Sequence, residues 1–459
     1  MRTQSTQQHY LDFSGKSRLK VVNEYREKYR IISQRLDDNP QVMSLAHRDL
    51  ARMLSQSKKG RKSGYTSEQI LRSLIVMFVE QDSYRRVVVR IENSEFLRHF
   101  VGLGLHSMMD FTFLNKAFCA LSDQTWKSMN RLLAQYAQAQ EKISPEKLRL
   151  DTTVYETNIH YPTDSSLLWD SFRTLARLLQ QIQQERPQLA PKHRFHTKKV
   201  KKLATFIARN GASPSKGKKR KVKSTYRKLI GRVGWIVEIA RDVLRRLPVT
   251  SDDAKVLAHY LPIIESVIHQ TEQRIFQGVM LPTDEKVYSV FEEHTELLKR
   301  GKAGKPVEFG HKVLIAQTAE KFIHHYEVYP KRREDKELLE PTLKAHEHLF
   351  GTGPEVLATD KGFYENMKQL TKLEETITTV SICKKGRRNP QEYEREGTDA
   401  FKDGQCRLWY LLSQPRFVNT IVRQKQPKQA VLEGVVRDSL SRKLIYQLFR
   451  ERWWTIQRN

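Results

Sequence analysis

The sequence predicts an α/β protein in which a sheet of mixed direction contains a large helical insertion and follows an all-helical N-terminal region. Two strand patterns carry acids: 147–161 has Asp151 near its centre, and 355–364 has Asp360 just before a glycine. Between them lie a long amphipathic helical stretch and two strands joined by a short connection. Strands separated by helices in this order are typical of an α/β sheet.

The residues around Asp151 alternate as in a strand that is buried on one face. The predicted buried positions are Leu148, Leu150, Thr152 and Val154. Asp151 lies on the other face, where an unpaired acid is unfavourable, so it requires solvent, a cation or a metal nearby. Taken alone, Asp151 or Asp360 is more often a turn or helix-cap residue. Taken together, two acids on strands indicate one site.

The charge of the chain favours a polyanionic partner. The 459 residues include 81 Lys and Arg against 52 Asp and Glu, a formal net charge of +29. Nucleic acid is the first candidate and a membrane surface is the alternative. The sequence has no apolar run of the roughly 18 residues that a transmembrane helix requires, and its first residues lack the apolar core of a signal peptide. We therefore expect a cytoplasmic protein with no membrane partner. The length of the chain predicts two or three domains.

The cysteines indicate neither a disulfide framework nor a zinc site. Cys119, Cys383 and Cys406 are far apart in the chain and show no CxxC spacing. We expect them to be ordinary thiols.

The first 140 residues are predicted to be helical. Residues 1–62 form a basic helical arm, and 63–140 form a helix-turn-helix bundle in which Thr66 begins a helix. Arginines interleave with the apolar positions of the segment 84–91. These arginines, Arg85, Arg86 and Arg90, form either a solvated face or a DNA contact.

Residues 165–275 are predicted to be a helical insertion that contains a strongly basic linker. Like-charged runs repel unless an anion is close, and DNA phosphate is the anion we expect. Such contacts position a duplex without reading its sequence. The candidate DNA-binding residues are Lys198, Lys199, Lys201, Lys202, Lys218, Lys219 and Arg220.

The second half of the sheet is predicted from three further patterns. Strands are expected at 287–290, at 307–316 and at 322–329, and the last two are joined as a hairpin. A helix that Pro341 opens at its first position then runs to about Phe350, before the strand that carries Asp360.

The order of elements and four motifs resemble DDE transposases of bacterial insertion sequences, in particular those with an InsH-like N-terminal helical domain and a ribonuclease-H-like catalytic core. The motifs are LDTTV at 150–154, YPTDSSLL at 161–168, GKPVEFGHKV at 304–313 and ATDKGFY at 358–364. The helical segment 65–121 also matches, so the resemblance covers roughly residues 20–404. It implies an N-terminal DNA-binding domain at 63–140 and a catalytic core at 146–404.

The resemblance implies a specific activity. The chain would bind the terminal repeats of an insertion sequence and catalyse metal-dependent DNA cleavage and strand transfer, with Asp151 and Asp360 as catalytic residues and metal ligands. Two Mg²⁺ or Mn²⁺ ions about 3.5–4 Å apart suit such in-line displacement at phosphorus. Lys305 would join the DNA-binding residues. Such transposases assemble at least as dimers on double-stranded DNA and act in the cytoplasm, close to the bacterial nucleoid.

The third carboxylate of the family has no clear counterpart. The sequence departs from the family pattern at about residue 405, which leaves 405–459 as an atypical tail, and Glu433 is the substitute candidate, with a surface glutamate as the alternative. We hypothesise that the reading frame was altered there. The competing functions are a catalytically impaired copy that only binds DNA and a ribonuclease-H-like nuclease. His160 and His311 are expected to be local hydrogen-bonding groups, because hard cations favour oxygen.

Overall fold

The N-terminal region is a bundle of seven helices with one core. The computed structural model describes residues 17–53, 64–189, 193–302, 305–331, 333–384, 386–387 and 390–398. The helices are α1 (Lys20–Asp38), α2 (Pro40–Ala51), α3 (Ser67–Val79), α4 (Tyr84–Glu92), α5 (Glu95–Val101), α6 (Phe111–Ala120) and α7 (Asp123–Ala139). Thr66 caps α3 and exchanges hydrogen bonds with Gln69, as predicted. Tyr29 of α1 packs on Phe100 of α5, so the first two helices share the core of the other five.

The insertion is a second helical body with its own core. Its helices are α8 (Asp164–Glu185), α9 (Thr197–Asn210), α10 (Lys216–Arg246) and α11 (Asp252–Glu272). Their apolar faces meet in one cluster that includes Phe172, Ile207 and Leu229. Among the residues that the structure describes, no helix is long and apolar enough to cross a membrane.

The prediction of a basic linker inside the insertion is wrong. The candidate DNA-binding residues of the insertion lie on helices, which are α9 for Lys198, Lys199, Lys201 and Lys202 and the start of α10 for Lys218, Lys219 and Arg220. The reason is the apolar residues between the charges: Val200, Ala204 and Ile207 recur at helical spacing and are buried.

The sheet has six strands of mixed direction, in agreement with the predicted α/β class. They are β1 (Lys147–Glu156), β2 (Glu296–Lys302), β3 (Lys305–Gln317), β4 (Ile323–Tyr329), β5 (Val356–Thr359) and β6 (Thr379–Ile382). β1 is central: it pairs antiparallel with β3 and parallel with β5. β4 and β2 pair antiparallel with the two halves of β3, and β6 pairs parallel with β5. The predicted hairpin is therefore confirmed as β3 and β4.

One predicted strand is wrong and one helix begins earlier than expected. Residues 287–290 form a loop, because the side-chain amide of Gln270 bonds both the N–H and the C=O of Val287 and Val290 packs into the insertion core. β2 begins instead at Glu296. The helix predicted to open at Pro341 is α12 (Leu339–Phe350), which begins two residues before that proline.

The two faces of the sheet pack against different helices. Leu148 and Leu150 of β1 join an apolar cluster with side chains of α12 and of α13 (Met367–Glu374). On the opposite face, Val313 and Tyr326 of β3 and β4 pack into the core of the N-terminal bundle. The last helix that the structure describes is α14 (Pro390–Gly397). The buried face predicted for β1 is confirmed, since Leu148, Leu150, Thr152 and Val154 are all buried, but Arg149 on the other face is buried as well.

Gly310 lets β3 approach β1 closely where the strands begin to separate. A Cβ atom at Gly310 would lie 1.9 Å from the carbonyl oxygen of Tyr155 and 2.8 Å from the Cα of Glu156. Both obstacles are backbone, so no side-chain rotation would relieve the contact. Gly310 also pairs with Glu296 of β2 on the other edge of β3. Only glycine fits between its neighbours here.

We predict that Gly310→Ala destabilises the sheet strongly. The added methyl group would push β3 away from β1, and we expect the free energy of unfolding to fall by about 2 kcal/mol or more. Urea unfolding followed by circular dichroism measures this change. Gly231→Ala is the matched control, because its added methyl group meets no atom within 4 Å and lies inside α10, where alanine is favoured over glycine by about 1 kcal/mol. Equal unfolding midpoints for the two variants would contradict the prediction.

Candidate functional site

The register of two parallel strands brings the predicted acids together. Leu150 of β1 is opposite Thr359 of β5, so the next residues along the two strands, Asp151 and Asp360, are neighbours. Adjacent strands are about 4.8 Å apart. Asp151 also lies opposite Ile315 of β3, on the face of the sheet that the N-terminal bundle partly covers. Both acids are half-buried.

The backbone holds one oxygen of each carboxylate. The N–H of Thr152 donates to Asp151 Oδ1 at 2.7 Å, and the N–H of Gly362 donates to Asp360 Oδ1 at 2.8 Å. The second contact arises because Asp360 caps a short 3₁₀ helix, Lys361–Phe363. These bonds fix the orientation of both side chains before any ligand binds.

A third acid lies beside Asp360, and the sequence did not indicate it. Asp335 approaches Gly362 so closely that a Cβ atom there would lie 2.5 Å from Asp335 Oδ2 and 2.8 Å from Asp360 Oδ1. The Nζ of Lys312 donates to Asp335 Oδ1 at 2.8 Å and to the carbonyl oxygen of Arg333 at 2.7 Å. Lys312 is 11% exposed. The only signal in the sequence was a lysine inside an apolar strand, and its partner lies 23 residues away.

A complete metal-binding set is not present within the described ranges. There, no group of three or more His, Cys, Asp or Glu side chains is arranged to hold a metal ion. Glu433, the candidate third carboxylate, lies outside the described residues, as does most of the atypical tail. The structure therefore places two of the three predicted acids.

The two histidines near these strands differ from each other. His160 lies beside a carboxylate, whereas neither ring nitrogen of His311 has a hydrogen-bond partner among the described residues, so the local hydrogen bond predicted for His311 is not formed. His160 Nε2 is 3.4 Å from Asp170 Oδ2, and burial raises the pKa of Asp170 while Arg173 and His160 oppose that rise. His311 is fully buried and its ring stacks on that of His294, with centroids 5.0 Å apart. Burial lowers the pKa of His294 to about 4 and also lowers that of His311, which keeps this pair neutral at pH 7.

The arginines predicted to contact DNA from α4 are engaged within the protein. Arg90 Nε lies 2.5 Å from Asp82 Oδ2, and Arg86 Nε lies 3.3 Å from the other oxygen of that carboxylate. Asp82 is buried, with a side chain that is 2% exposed. The guanidinium of Arg85 lies over the ring of Phe111 at 4.8 Å from its centroid. Much of the charge of α4 is therefore neutralised locally.

The predicted DNA-binding residues of the insertion are all on the surface. These exposed residues are Lys198, Lys199, Lys201, Lys202, Lys218, Lys219 and Arg220. None of them takes part in an ion pair with a described residue. Lys305 begins β3, and its side chain lies outside the described part of the structure.

Comparison with known proteins adds no relative. The chain matches no protein-family model, no curated protein and no solved structure. The functional argument therefore rests on the residues themselves.

We predict that Arg90 and Arg86 differ in their effect on stability. Arg90→Gln removes the closer partner of the buried Asp82 and should lower the free energy of unfolding by about 2 kcal/mol or more. Arg86 is 74% exposed, so Arg86→Gln should change it by less than about 1 kcal/mol. Each variant differs from the parent by the same charge. Chemical unfolding of both measures the difference between their losses in free energy of unfolding. A larger loss for Arg86→Gln would show that Arg90 is not the structural partner.

Proposed function

We propose that this chain is a DDE-type transposase that binds insertion-sequence terminal repeats and catalyses metal-dependent cleavage and strand transfer. The observation that carries the proposal is the strand register that makes Asp151 and Asp360 neighbours. The two acids are 209 positions apart in the sequence, and a helical body of four helices separates their strands. Two acids that lie side by side on parallel strands can bind the same metal site.

The architecture supports this proposal. The strand that carries Asp151 is followed by a helical insertion, three antiparallel strands, a helix and a strand parallel to the first that ends just before Asp360. This order and these directions are compatible with a ribonuclease-H-like core. Fold alone does not specify an activity, so the pair of acids carries the functional argument.

The donor atoms of the pair suit a hard divalent cation. Asp151 and Asp360 offer carboxylate oxygens, which Mg²⁺ and Mn²⁺ prefer. Neighbouring carboxylates repel each other unless a cation lies between them. Asp151, on the central strand, and Asp360 would together hold the ions. Bound ions would stabilise the charge on the attacking and leaving oxygens of a phosphodiester.

The charge of the chain supports DNA as the substrate. A formal net charge of +29 suits a polyanion, and the proposal places the protein in the bacterial cytoplasm with the nucleoid. Joining two element ends in one complex requires at least two chains, so we expect a homodimer on DNA.

We predict that Asp151→Asn and Asp360→Asn each abolish cleavage. The full chain is incubated with Mg²⁺ or Mn²⁺ and a duplex that carries the terminal repeats of its own element, and nicked products are separated on a denaturing gel. Loss of a carboxylate ligand should lower the cleavage rate at least about 100-fold. Asp284→Asn is the matched control, because Asp284 is exposed in the loop between the insertion and β2 and its substitution should leave the rate unchanged.

The outcomes separate the competing functions. Cleavage of the repeats that both variants lose supports the transposase. Metal-dependent cleavage of any duplex, without preference for the repeats, supports a general nuclease. Selective binding of the repeats without cleavage supports a DNA-binding derivative and overturns the proposed catalysis.

A further inference from the structure

One part of the insertion carries positive charge without any acid. Between residues 187 and 237 the sequence contains 16 Lys and Arg residues and no Asp or Glu. The chain as a whole has 52 acids in 459 residues, so a stretch of this length without one departs clearly from the rest of the protein. We call the exposed Lys and Arg side chains of residues 198–232, on α9 and α10, the basic ridge.

The two halves of α10 differ in whether their cations have acidic partners. In the second half, Arg241 pairs with Glu238 and Glu265, and Arg245 pairs with Asp242. In the first half, no side chain of the basic ridge has an ion-pair partner among the described residues. The charges of the ridge are therefore not neutralised by described acids, although Lys221, Lys223 and Arg227 lie over aromatic rings of the insertion.

The start of α10 is exposed to solvent. Residues 216–221 are all exposed, and Thr225 is the first residue of the helix to be buried. Lys216 and Arg220, and likewise Lys219 and Lys223, are four residues apart on the helix, where like charges are destabilising. A polyanion along this segment would remove that repulsion.

The shape of the ridge fits an extended phosphate backbone. The cationic part of α10, residues 216–232, is about 25 Å long, which corresponds to about seven base pairs of duplex. α9 packs on α10, and Lys221 lies over the ring of Phe206 at 5.5 Å, so the two basic helices are held against each other. Cations that are fixed on two packed helices form a charged surface to which a phosphate backbone is attracted.

The ridge lacks the apolar surface that a membrane contact needs. Val200, Ile207 and Leu229 are buried in the insertion core, and none of the large hydrophobic residues that are exposed elsewhere falls between 187 and 237. A membrane-surface helix would expose an apolar face beside its charges. The observations therefore favour nucleic acid over an anionic lipid surface.

We infer that the basic ridge binds the phosphate backbone of duplex DNA without reading its sequence, and that it supplies more of this affinity than α4 does. The choice of DNA as the polyanion rests on the proposed function. α4 is the weaker surface because Asp82 already pairs with Arg86 and Arg90. The insertion would thus hold the duplex while Asp151 and Asp360 act on it.

The test measures how the affinity of the full chain for a 30-base-pair duplex of arbitrary sequence depends on salt. Fluorescence anisotropy is recorded in EDTA, so that no cleavage occurs. Each lost phosphate contact reduces the slope of log affinity against log salt by about 0.9. The triple variant Lys218→Gln, Lys219→Gln, Arg220→Gln should therefore reduce the slope by about 2 to 3 and weaken binding at least about 10-fold at 100 mM salt.

Three further variants make the result specific. Lys198→Gln, Lys199→Gln, Lys202→Gln on α9 should reproduce the loss, which guards against a local folding effect in α10. Lys344→Gln, Lys368→Gln, Lys372→Gln removes the same charge from exposed positions of α12 and α13 and should change the slope by less than about 1. Arg85→Gln with Arg86→Gln, on α4, should also change it by less than about 1.

The inference is overturned if the ridge variants and the α12–α13 control reduce the salt slope equally, or if the α4 variant reduces it more than the ridge variants do. It is also overturned if the ridge variants keep duplex binding but lose binding to phosphatidylglycerol vesicles. Because the assay contains no metal, its result is independent of catalysis. If the ridge variants reduce the salt slope more than the α12–α13 control does but the chain does not cleave terminal repeats, only the proposed function is overturned. If the chain cleaves the repeats but the slopes of these variants do not differ, only the inference about the basic ridge is overturned.

Discussion

The register of β1 against its two neighbours is the constraint on which the placement of the two acids depends. Pairing with β5 sets Asp151 beside Asp360, and pairing with β3 sets Tyr155 and Glu156 against Gly310. A slip of one residue would move Asp151 to the face packed by α12 and α13 and bring Leu150 out of the core. The apolar packing of that face and the absence of a side chain at Gly310 therefore fix the position of the acids.

The charges of the protein divide into two classes with different physical roles. Some cations pair with acids that are buried or half-buried, as Arg90 does with Asp82 and Lys312 with Asp335, and these pairs fix the position of both side chains. Lys312 and Asp335 do so at the turn that carries Asp360 and Gly362. The cations of the basic ridge have no such partners among the described residues, and their charge remains directed outward. Surface charge of this second kind gives long-range attraction to a polyanion.

Local patterns predicted what depends on local physics. The buried face of β1, the β3–β4 hairpin and the capping of α3 at Thr66 follow from side-chain periodicity and turn chemistry. The loop at 287–290 does not follow from its local pattern, because the side chain of Gln270 replaces a strand partner. The helical state of α9 depends on the burial of Val200 and Ile207, which the surrounding lysines obscure in the sequence. The pairing of Lys312 with Asp335 depends on how distant elements meet, which a single sequence does not reveal.

The most direct measurement is a crystal structure of the full chain soaked in Mn²⁺, with anomalous diffraction recorded at the manganese absorption edge. The account predicts an anomalous peak within about 2 Å of carboxylate oxygens of both Asp151 and Asp360, and loss of that peak in Asp360→Asn crystals soaked in the same way. A parent crystal with Mn²⁺ at other sites and none between these two acids would contradict the claim that they form one metal site.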